Sequence, residues 1–463
     1  MKILVKYMLL GVLAGGLLPS CTKNLDVTPR QSIEAGEALL TPEDVDIAMI
    51  GGYSVLGSAP LYGTNLNIIA ELLDGPGQNF WLGTFTGYRQ LRSRSLTATN
   101  SEALRTWSAA YSAINVANTI LDALNRGIVT DADQRNTLEG EALLMRALMH
   151  FELVRLYGRP WDPAGSNNEP GRGIPIRTKA SLNEVTAREK QPRNTVAEVY
   201  AQVITDMMAA AGKLPEENGT RFNKYAAYGF LARVYLQKGD FAGARDAANE
   251  VIESGQFQLN ASVLAPFTNK NTSESIFEIQ QNEQNNAGTA NDGLATFYAS
   301  LPGIGRGDLE VNEGYLDYYE PGDIRASDWY YYGAEGTARP QTLMSGKWLT
   351  FGTNIPVLRL AEMYLIRAEA NLRLGTDVGD EPVNDINRIR SRANATLLNS
   401  VTLDDIIEER KRELAFEGFS IHDTKRLQES SGSLEWDSDD LVLPIPQVEI
   451  DASEGIITQN PGY

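Results

Sequence analysis

The segment Lys224–Gly255 is the part of the sequence that most restricts the fold. Aromatic and small residues recur there at three- and four-residue spacings, which place them on one face of a helix. Gly239 and Asp240 interrupt the pattern with a dipeptide typical of a tight turn. The segment therefore predicts two antiparallel helices packed face to face, with an interface formed by Tyr228, Leu231, Ala232, Tyr235, Ala244 and Ala248.

The spacing in this segment resembles that of a tetratricopeptide helical hairpin. Val357–Gly375 resembles the first helix of another such hairpin, and Ala142–Gly158 is a looser match. Because each hairpin buries its apolar face only against its neighbours, the matches predict a scaffold of stacked helix pairs. An irregular helical domain with chance matches is the alternative, and the paired helices are the interpretation that we favour.

Helix signals divide the chain into a scaffold and an insert. Capping pairs and apolar periodicity predict a helical scaffold over residues 41–257 and 354–428. Between residues 258 and 353 the helical period fades into Asn, Gly, Ser and Tyr, with short β-favouring pieces such as Ser275–Gln280, which predicts a loop-rich insert. Residues 429–463 predict an acidic, proline-rich tail without a helix. The predicted fold class is mainly α, with tetratricopeptide-like stacked hairpins and short strands in the insert.

The N-terminus predicts export. Two lysines precede the apolar stretch Met8–Leu18, which is too short to span a bilayer, and Cys21, the only cysteine, follows it closely. A cysteine at this point is typical of the lipid-modified cysteine of a bacterial lipoprotein. We expect residues 1–20 to be a signal peptide and residues 21–40 to be a tether held to the membrane by acyl chains on Cys21. An ordinary signal peptide with an unrelated cysteine nearby is the alternative.

Charge and composition exclude one class of partner. The formal net charge of the 463-residue chain is −19, and 42% of its residues are apolar. Nucleic-acid binding depends on clustered Lys and Arg, so we expect no nucleic-acid partner. The apolar content is that of an ordinary globular protein.

The sequence carries no recognisable catalytic motif. His150 and His422, the only two histidines, lie outside any zinc-binding spacing. We expect His150 to be a packing residue and His422 to form a hydrogen bond within a helix terminus. No G-x-S-x-G elbow occurs, and Gly303–Gly307 lacks the context of a phosphate-binding loop. A calcium ion held by Asp437–Asp440 is a minority alternative, because the stretch lacks the glycine and glutamate of an EF-hand. We therefore expect a non-enzyme with no cofactor and no metal.

Aromatic side chains on predicted loops remain as candidates for function. Sugars present apolar C–H faces rimmed by hydroxyls, so a ring covers the face while amides and carboxylates pair with the hydroxyls. One group lies in and next to Gly63–Gly87, a stretch punctuated by Gly and Pro, and the other lies in the insert. If Trp329–Tyr332 is a strand, one of its two sides belongs to the core, and both placements stay open. The predicted glycan-contacting residues are Asp74, Asn79, Phe80, Trp81, Tyr88, Trp329 and Tyr331.

Motifs along the whole chain resemble the SusD/RagB family. Arg146–Gly158 is similar to the family pattern R-A-x-x-x-F-x-L-x-x-x-Y-G, and Asn354–Ala370 is similar to N-I-P-V-x-R-L-A-E-x-Y-L-x-x-A-E-A. The most specific match is Glu409–Gly418 leading to Asp423–Arg426, and the chain closes on the similar Gln459–Tyr463. The order and spacing of these matches carry the resemblance, and they are scaffold residues rather than ligand contacts.

The resemblance implies a nutrient-binding lipoprotein of the outer membrane, facing the cell exterior. Family members are implied to bind oligosaccharides and to cap a SusC-like TonB-dependent transporter. We therefore expect a non-catalytic glycan-binding lipoprotein that passes its ligand to such a transporter. Two alternatives stay open: an interaction subunit of the transporter without a saccharide site, and a glycoside hydrolase using two carboxylates. The resemblance does not identify the glycan.

Overall fold

The structure, a computed structural model, describes residues 39–75 and 78–463. The predicted signal peptide, Cys21 and nearly all of the tether lie outside these residues, so lipidation stays a prediction. Seventeen α-helices and six short strands make up the regular structure of the described part, together with four 3₁₀ turns. The prediction of a mainly helical fold is confirmed.

The helices run through the whole described chain and are numbered in chain order. They are α1 (Pro42–Leu56), α2 (Asn65–Asp74), α3 (Thr86–Ser93), α4 (Ser101–Asn125), α5 (Ala132–Tyr157), α6 (Glu184–Ala187), α7 (Val196–Lys213), α8 (Lys224–Lys238), α9 (Phe241–Glu253), α10 (Ala265–Thr268), α11 (Leu294–Tyr298), α12 (Arg325–Asp328), α13 (Leu360–Leu374), α14 (Pro382–Arg392), α15 (Leu403–Glu413), α16 (Ser420–Leu427) and α17 (Gln447–Ala452). The 3₁₀ turns are Ser166–Asn168, Ala287–Ala290, Glu313–Tyr318 and Asp439–Leu441.

Capping residues set the helix boundaries where the sequence predicts them. Thr195 accepts a hydrogen bond from the backbone N–H of Glu198, whose carboxylate accepts from the N–H of Thr195, so α7 begins with a capping box. Gly239 ends α8 with a φ of +75°, and the Asp240 carboxylate then accepts from the N–H of Gly243 to begin α9. The predicted hairpin α8–α9 is therefore present, with its turn at the predicted glycine.

The scaffold is a continuous layer of helices in which each helix packs on the next. Helix α4 packs on α5, α5 on α7, α7 on α8, α8 on α9, α9 on α13 and α13 on α14. Buried aromatic rings join this layer to the insert, for example Phe222 and Phe277 with ring centroids 4.4 Å apart. Among the described residues, no helix combines the length and the hydrophobicity needed to cross a bilayer.

The six strands form three antiparallel pairs. They are β1 (Asn79–Trp81) with β3 (Leu309–Val311), β2 (Ser275–Ile279) with β6 (Ile355–Arg359), and β4 (Tyr330–Tyr332) with β5 (Leu343–Ser345). Strand β3 also lies against β5, so β1, β3, β5 and β4 follow one another across one face of the insert. This face carries the exposed aromatic residues described below.

Three parts of the chain differ from the sequence prediction. Ile355–Arg359 lies in the predicted helical segment 354–428 but forms strand β6, because it pairs with β2, and α13 begins only at Leu360. The tail was predicted without a helix, which is wrong, because α17 forms directly after Pro446. The tail also enters the core, since Leu443 is fully buried and its N–H donates to Leu156 O at 2.8 Å. Helix α2 lies inside the Gly- and Pro-punctuated stretch and is buried on every side. The glycines that flank it, Gly63 and Gly75, indicate a loop, and this obscures a helix of only ten residues.

Candidate functional site

An open groove lies between strands β1 and β3 and helix α3. Its volume is about 470 Å³. Phe80 is 43% exposed there and Leu82 is also exposed, whereas most large apolar side chains of the protein are buried. We call this surface the aromatic groove, and its lining residues are Phe80, Trp81, Leu82, Arg89, Arg92, Ser93 and Glu310.

Strand pairing explains why Phe80 faces solvent. Phe80 lies opposite Glu310 in the β1–β3 register, and alternation along β1 turns the flanking Asn79 inwards. The Asn79 side-chain amide donates to Glu71 O at 2.9 Å and so fixes the strand to the end of α2. Asn79 therefore positions the groove and is itself fully buried, so the expectation that it contacts a glycan does not fit its placement.

Trp81 forms the half-buried floor of the groove. Its ring packs against Tyr88, with centroids 4.8 Å apart, and against Phe297 at 5.4 Å. These contacts hold the indole in one position and leave part of it open to the groove. Phe80 and Trp81 are thus the two predicted aromatic residues that the structure brings together on an accessible surface.

Arginine side chains flank the exposed ring. The Arg92 guanidinium lies 5.5 Å from the centroid of the Phe80 ring, within the range of a cation–π contact. Arg92 Nε and Nη2 both donate to Asn79 O, at 3.0 and 2.8 Å, and partial burial lowers the pKa of Arg92. Arg89 is exposed, and its Nη2 makes long hydrogen bonds to Gly83 O and Thr84 O. These arginines are not among the predicted contact residues, although their three-residue spacing after Phe80 places them on one face of a helix.

Two predicted contact residues belong to the core. The Tyr88 ring is fully buried, and its hydroxyl donates to Asn65 Oδ1 at 2.5 Å. Trp329 is also fully buried, its Nε1 donates to Val263 O at 3.0 Å, and Lys347 Nζ lies 3.8 Å from its ring centroid. A ring covered on both faces by protein presents no surface to a sugar. The expectation that Tyr88 and Trp329 contact a glycan is therefore corrected.

The expected alternation of core and solvent sides along Trp329–Tyr332 is not observed, because Trp329 precedes strand β4 and both it and Tyr330 are buried. The strand begins at Tyr330, which is buried, while Tyr331 is half-buried and its hydroxyl accepts from the N–H of Ser300 at 2.8 Å. Tyr332, which the sequence analysis did not select, is the most exposed of the three at 52%. Tyr331 thus has a structural partner already, and Tyr332 carries the ring that faces solvent.

Asp74 lines a different cavity from the aromatic groove. This polar cavity has a volume of about 150 Å³ and lies between α2, α15 and α16. Asp74 is buried, and its Oδ1 accepts from Thr424 Oγ1 at 3.0 Å and from Ser431 Oγ at 2.9 Å. The Ser420 hydroxyl donates to its Oδ2. Asp74 therefore joins the end of α2 to α16 and the loop after it, which is a structural role.

Glu71, in the same cavity, makes stability depend on pH. Burial raises the pKa of Glu71 to about 8, the N–H of Gly418 opposes that rise, and the charge of Asp74 adds to it. Because the folded pKa lies above the unfolded value near 4.5, the contribution of Glu71 is fully present below pH 4.5 and is lost as the pH rises through about 8.

We expect Glu71→Gln to reduce the loss of stability between pH 5 and pH 8.5. Glutamine keeps the acceptor for Gly418, which lies 2.9 Å away, but it cannot ionise. Urea unfolding of both proteins at the two pH values measures the difference, with the exposed Glu43→Gln on α1 as the control. An equal loss of stability in Glu71→Gln and in the unmodified protein would show that Glu71 is not the titrating group.

Both histidines are buried, and this fits the expectation that His150 is a packing residue. His422 Nδ1 is buried without a hydrogen-bond partner among the described residues, so the hydrogen bond expected within a helix terminus is not seen at that nitrogen. His150 Nε2 accepts from the N–H of Arg177 at 3.1 Å, and burial, assisted by the charge of Arg146, lowers the pKa of His150 to about 3. Burial likewise lowers the pKa of His422 well below its ordinary value. Both imidazoles are neutral at physiological pH and neither lines the aromatic groove.

A further cleft of about 290 Å³ lies beside α4 and is a rival to the aromatic groove. Trp107 and Tyr111 line it together with Arg177 and Lys179. Trp107 is almost fully buried, and the Tyr111 hydroxyl donates to Pro175 O at 2.7 Å. The rings of this cleft thus serve the packing of the loop on α4, and the aromatic groove is the better candidate site.

Comparison with known proteins places the chain in a family. The family model SusD-like_3, described as "Starch-binding associating with outer membrane", matches residues 74–236, and SusD_RagB, described as "SusD family", matches residues 309–441. The chain is 27% identical to SusD-like protein P2 of Formosa agariphila over 91% of this chain and 93% of that protein. A 67-residue stretch, 14% of this chain and 11% of its relative, is 48% identical to the starch-binding protein SusD of Bacteroides thetaiotaomicron.

Solved structures agree with this placement. The crystal structure of a SusD superfamily protein from Bacteroides thetaiotaomicron matches with a TM-score of 0.80 at 28% identity, over 91% of this chain and 100% of that chain. Stacked helix pairs with a loop-rich insert and a surface groove define a helical scaffold protein with an accessible ligand-sized site. The chain belongs to the SusD/RagB family.

Proposed function

We propose that this protein is a non-catalytic glycan-binding lipoprotein whose aromatic groove captures an oligosaccharide. It hands the ligand to a SusC-like TonB-dependent transporter, and acyl chains on Cys21 hold it to the outer membrane on the outer face of the cell. The matched family description names starch binding and the outer membrane, and the relative SusD is named as starch-binding. Both names support the proposal.

The observation that carries the proposal is the pairing of an exposed ring with a rigid support. Phe80 presents its ring on a strand that is fixed to α2 by Asn79, and Trp81 is held by two packed rings. A sugar that stacks on Phe80 buries its apolar face without ordering a mobile loop, so less conformational entropy is lost on binding. The hydrogen-bonding groups for the sugar hydroxyls come from the polar side chains that line the groove.

We expect Phe80→Ala to weaken glycan binding by about 1–3 kcal/mol, the usual effect of removing an exposed aromatic anchor. Isothermal titration of the soluble domain against a panel of polysaccharides measures the loss. Because Phe80 is 43% exposed, its removal leaves the core intact and the melting temperature nearly unchanged. Trp81→Ala should lose a similar amount of affinity, but it also removes packing against Tyr88 and Phe297. If Phe80→Ala binds glycan with unchanged affinity, the aromatic groove is not the glycan-binding site.

The number of carboxylates in the groove does not favour a glycoside hydrolase. A glycoside hydrolase needs two carboxylates about 5–10 Å apart across the sugar. Among the described residues that line the groove, Glu310 is the one carboxylate. We expect no product from a polysaccharide incubated with the protein, as judged by chromatography of released sugars. Release of oligosaccharides that is lost in Glu310→Gln would contradict this expectation.

A further inference from the structure

The two arginines of the aromatic groove lack acidic partners. Neither Arg89 nor Arg92 has a carboxylate within ion-pair distance among the described residues, and their hydrogen bonds to these residues all go to backbone carbonyls. Some partly exposed arginines elsewhere have such a partner, since Arg105 pairs with Glu102 and Arg126 pairs with Asp122, each at 3.0 Å, whereas Arg94 donates only to Leu73 O, Asp74 O and Ser431 within the described part of the chain. The groove is particular in placing two guanidiniums without a carboxylate partner in the described chain next to one exposed aromatic ring, that of Phe80.

A purely structural role accounts for only part of this arrangement. Arg92 Nε and Nη2 brace strand β1 through Asn79 O, which leaves its Nη1 without a hydrogen bond to the described residues. The two bonds of Arg89 are long, at 3.5 and 3.3 Å, and both come from the same nitrogen. Its Nε and Nη1 are therefore available. Free donors of both guanidiniums border the same groove as the exposed Phe80 ring.

The remaining charge in the groove is Glu310. It lies opposite Phe80 in the β1–β3 register and makes no ion pair with any described residue. Its carboxylate offsets part of the positive charge, so the lining keeps a net charge of one positive unit from Arg89, Arg92 and Glu310. The groove is thus locally positive on a protein whose formal net charge is −19.

We propose that the glycan bound in the aromatic groove is acidic, which rests on the function proposed above. A sugar ring stacks on Phe80 while its carboxylate or sulfate ester accepts hydrogen bonds from Arg89 and Arg92. Guanidinium groups bind such oxyanions in a planar, two-pronged geometry, and these bonds are stronger than those between neutral groups. Arg92 is already fixed beside the ring, at 5.5 Å from its centroid, so little ordering is needed on binding.

Matched acidic and neutral polymers test the proposal. Polygalacturonate and alginate are compared with their carboxyl-reduced forms, and chondroitin sulfate and carrageenan with their desulfated forms, by affinity electrophoresis and isothermal titration. We expect at least one acidic polymer to bind about tenfold more tightly than its neutral form, the size of one charge-assisted hydrogen bond. The uronate and sulfate pairs show which oxyanion the groove prefers. Raising the salt concentration from 50 to 500 mM should lower the affinity for the acidic polymer and leave the affinity for its neutral form unchanged.

Three variants connect this preference to the groove. Arg89→Gln should lower the affinity for the acidic polymer about tenfold and the affinity for the neutral form less than twofold. Glu310→Gln should raise the affinity for the acidic polymer roughly threefold. Arg135→Gln, which changes an exposed arginine on α5, is the matched control and should have no effect. These opposite changes are not expected from a structural role for either residue.

The outcomes separate this proposal from the proposed function. If neutral polymers bind through Phe80 as tightly as acidic ones, or if Arg89→Gln and Glu310→Gln leave the acidic affinity unchanged, the acidic preference is overturned and glycan binding stands. If none of the acidic polymers binds, the acidic preference is likewise overturned. The proposed function then depends on whether any neutral glycan binds in a manner sensitive to Phe80→Ala.

Discussion

Replacing Glu413 with Gln should lower the free energy of unfolding by about 3–5 kcal/mol, the cost of breaking a buried ion pair on one side. Glu413 lies at the end of α15, and its side chain is fully buried. Its Oε1 meets Arg359 Nη1 at 3.0 Å and also Arg392 Nη2, while its Oε2 meets Arg325 Nη1 at 3.2 Å. Glutamine fills the same space but leaves three buried guanidiniums short of one negative charge.

The pH dependence of stability follows from the same contacts. Burial alone would raise the pKa of Glu413, but the charges of Arg392, Arg359 and Arg325 outweigh it and hold this pKa far below its ordinary value. Because the folded pKa is lowered, the stabilisation is fully present above the unfolded pKa near 4.5, begins to decrease as the pH falls below that value, and is lost as the pH falls through the much lower folded pKa. Glu413→Gln should therefore be less sensitive to acid than the unmodified protein.

Urea unfolding at pH 7 and pH 3.5 measures both effects. The control is Glu408→Gln on the same helix, since Glu408 pairs with Arg412 at 2.7 Å but is 54% exposed. An exposed pair of this kind contributes less than about 1 kcal/mol. Similar changes in the two variants would show that the buried cluster does not depend on the Glu413 charge.

The second large effect is expected for Trp329→Ala, which should cost about 3–5 kcal/mol of stability. The indole is fully buried, donates to Val263 O and packs beneath Lys347, so its loss leaves a cavity and an unpaired carbonyl. Thermal unfolding should show a marked fall in melting temperature, whereas Tyr332→Ala, three residues along and 52% exposed, should change it little.

Measuring glycan affinity distinguishes a core role for Trp329 from a role in contacting the ligand. The folded fraction of Trp329→Ala at low temperature should bind the ligand as the unmodified protein does, because the ring lies outside the groove lining. If Trp329→Ala keeps its stability but loses glycan affinity, Trp329 contacts the ligand and the assignment to the core is wrong.

The scaffold could be predicted from the sequence because its signals are local. The capping box of Thr195 and Glu198, the Gly239 turn and the small residues between α8 and α9 are all visible within one turn or one hairpin. The insert and the tail depend instead on distant partners. Strand β1 exists because it pairs with β3, more than 200 residues later, and the tail is buried because Leu443 bonds to Leu156. No spacing along the chain reports such pairings.

The site was predicted in part for the same reason. Composition around Phe80 and Trp81 indicated exposure, and the structure places both in the aromatic groove. Tyr88 and Trp329 have equally aromatic sequence surroundings, but Phe297 and Lys347 cover them in three dimensions. The roles proposed for Arg89 and Arg92 could not be recognised from charge alone, because they depend on the two side chains lying beside the exposed Phe80 ring.

The most direct test of the central claim is a crystal structure of the soluble domain with a bound oligosaccharide from the best-binding polymer. We expect a sugar ring stacked on Phe80, with Trp81 beneath it and the guanidiniums of Arg89 and Arg92 at its rim. A sugar bound beside Trp107 and Tyr111, or in the cavity of Asp74 and Glu71, with the aromatic groove empty, would contradict the account.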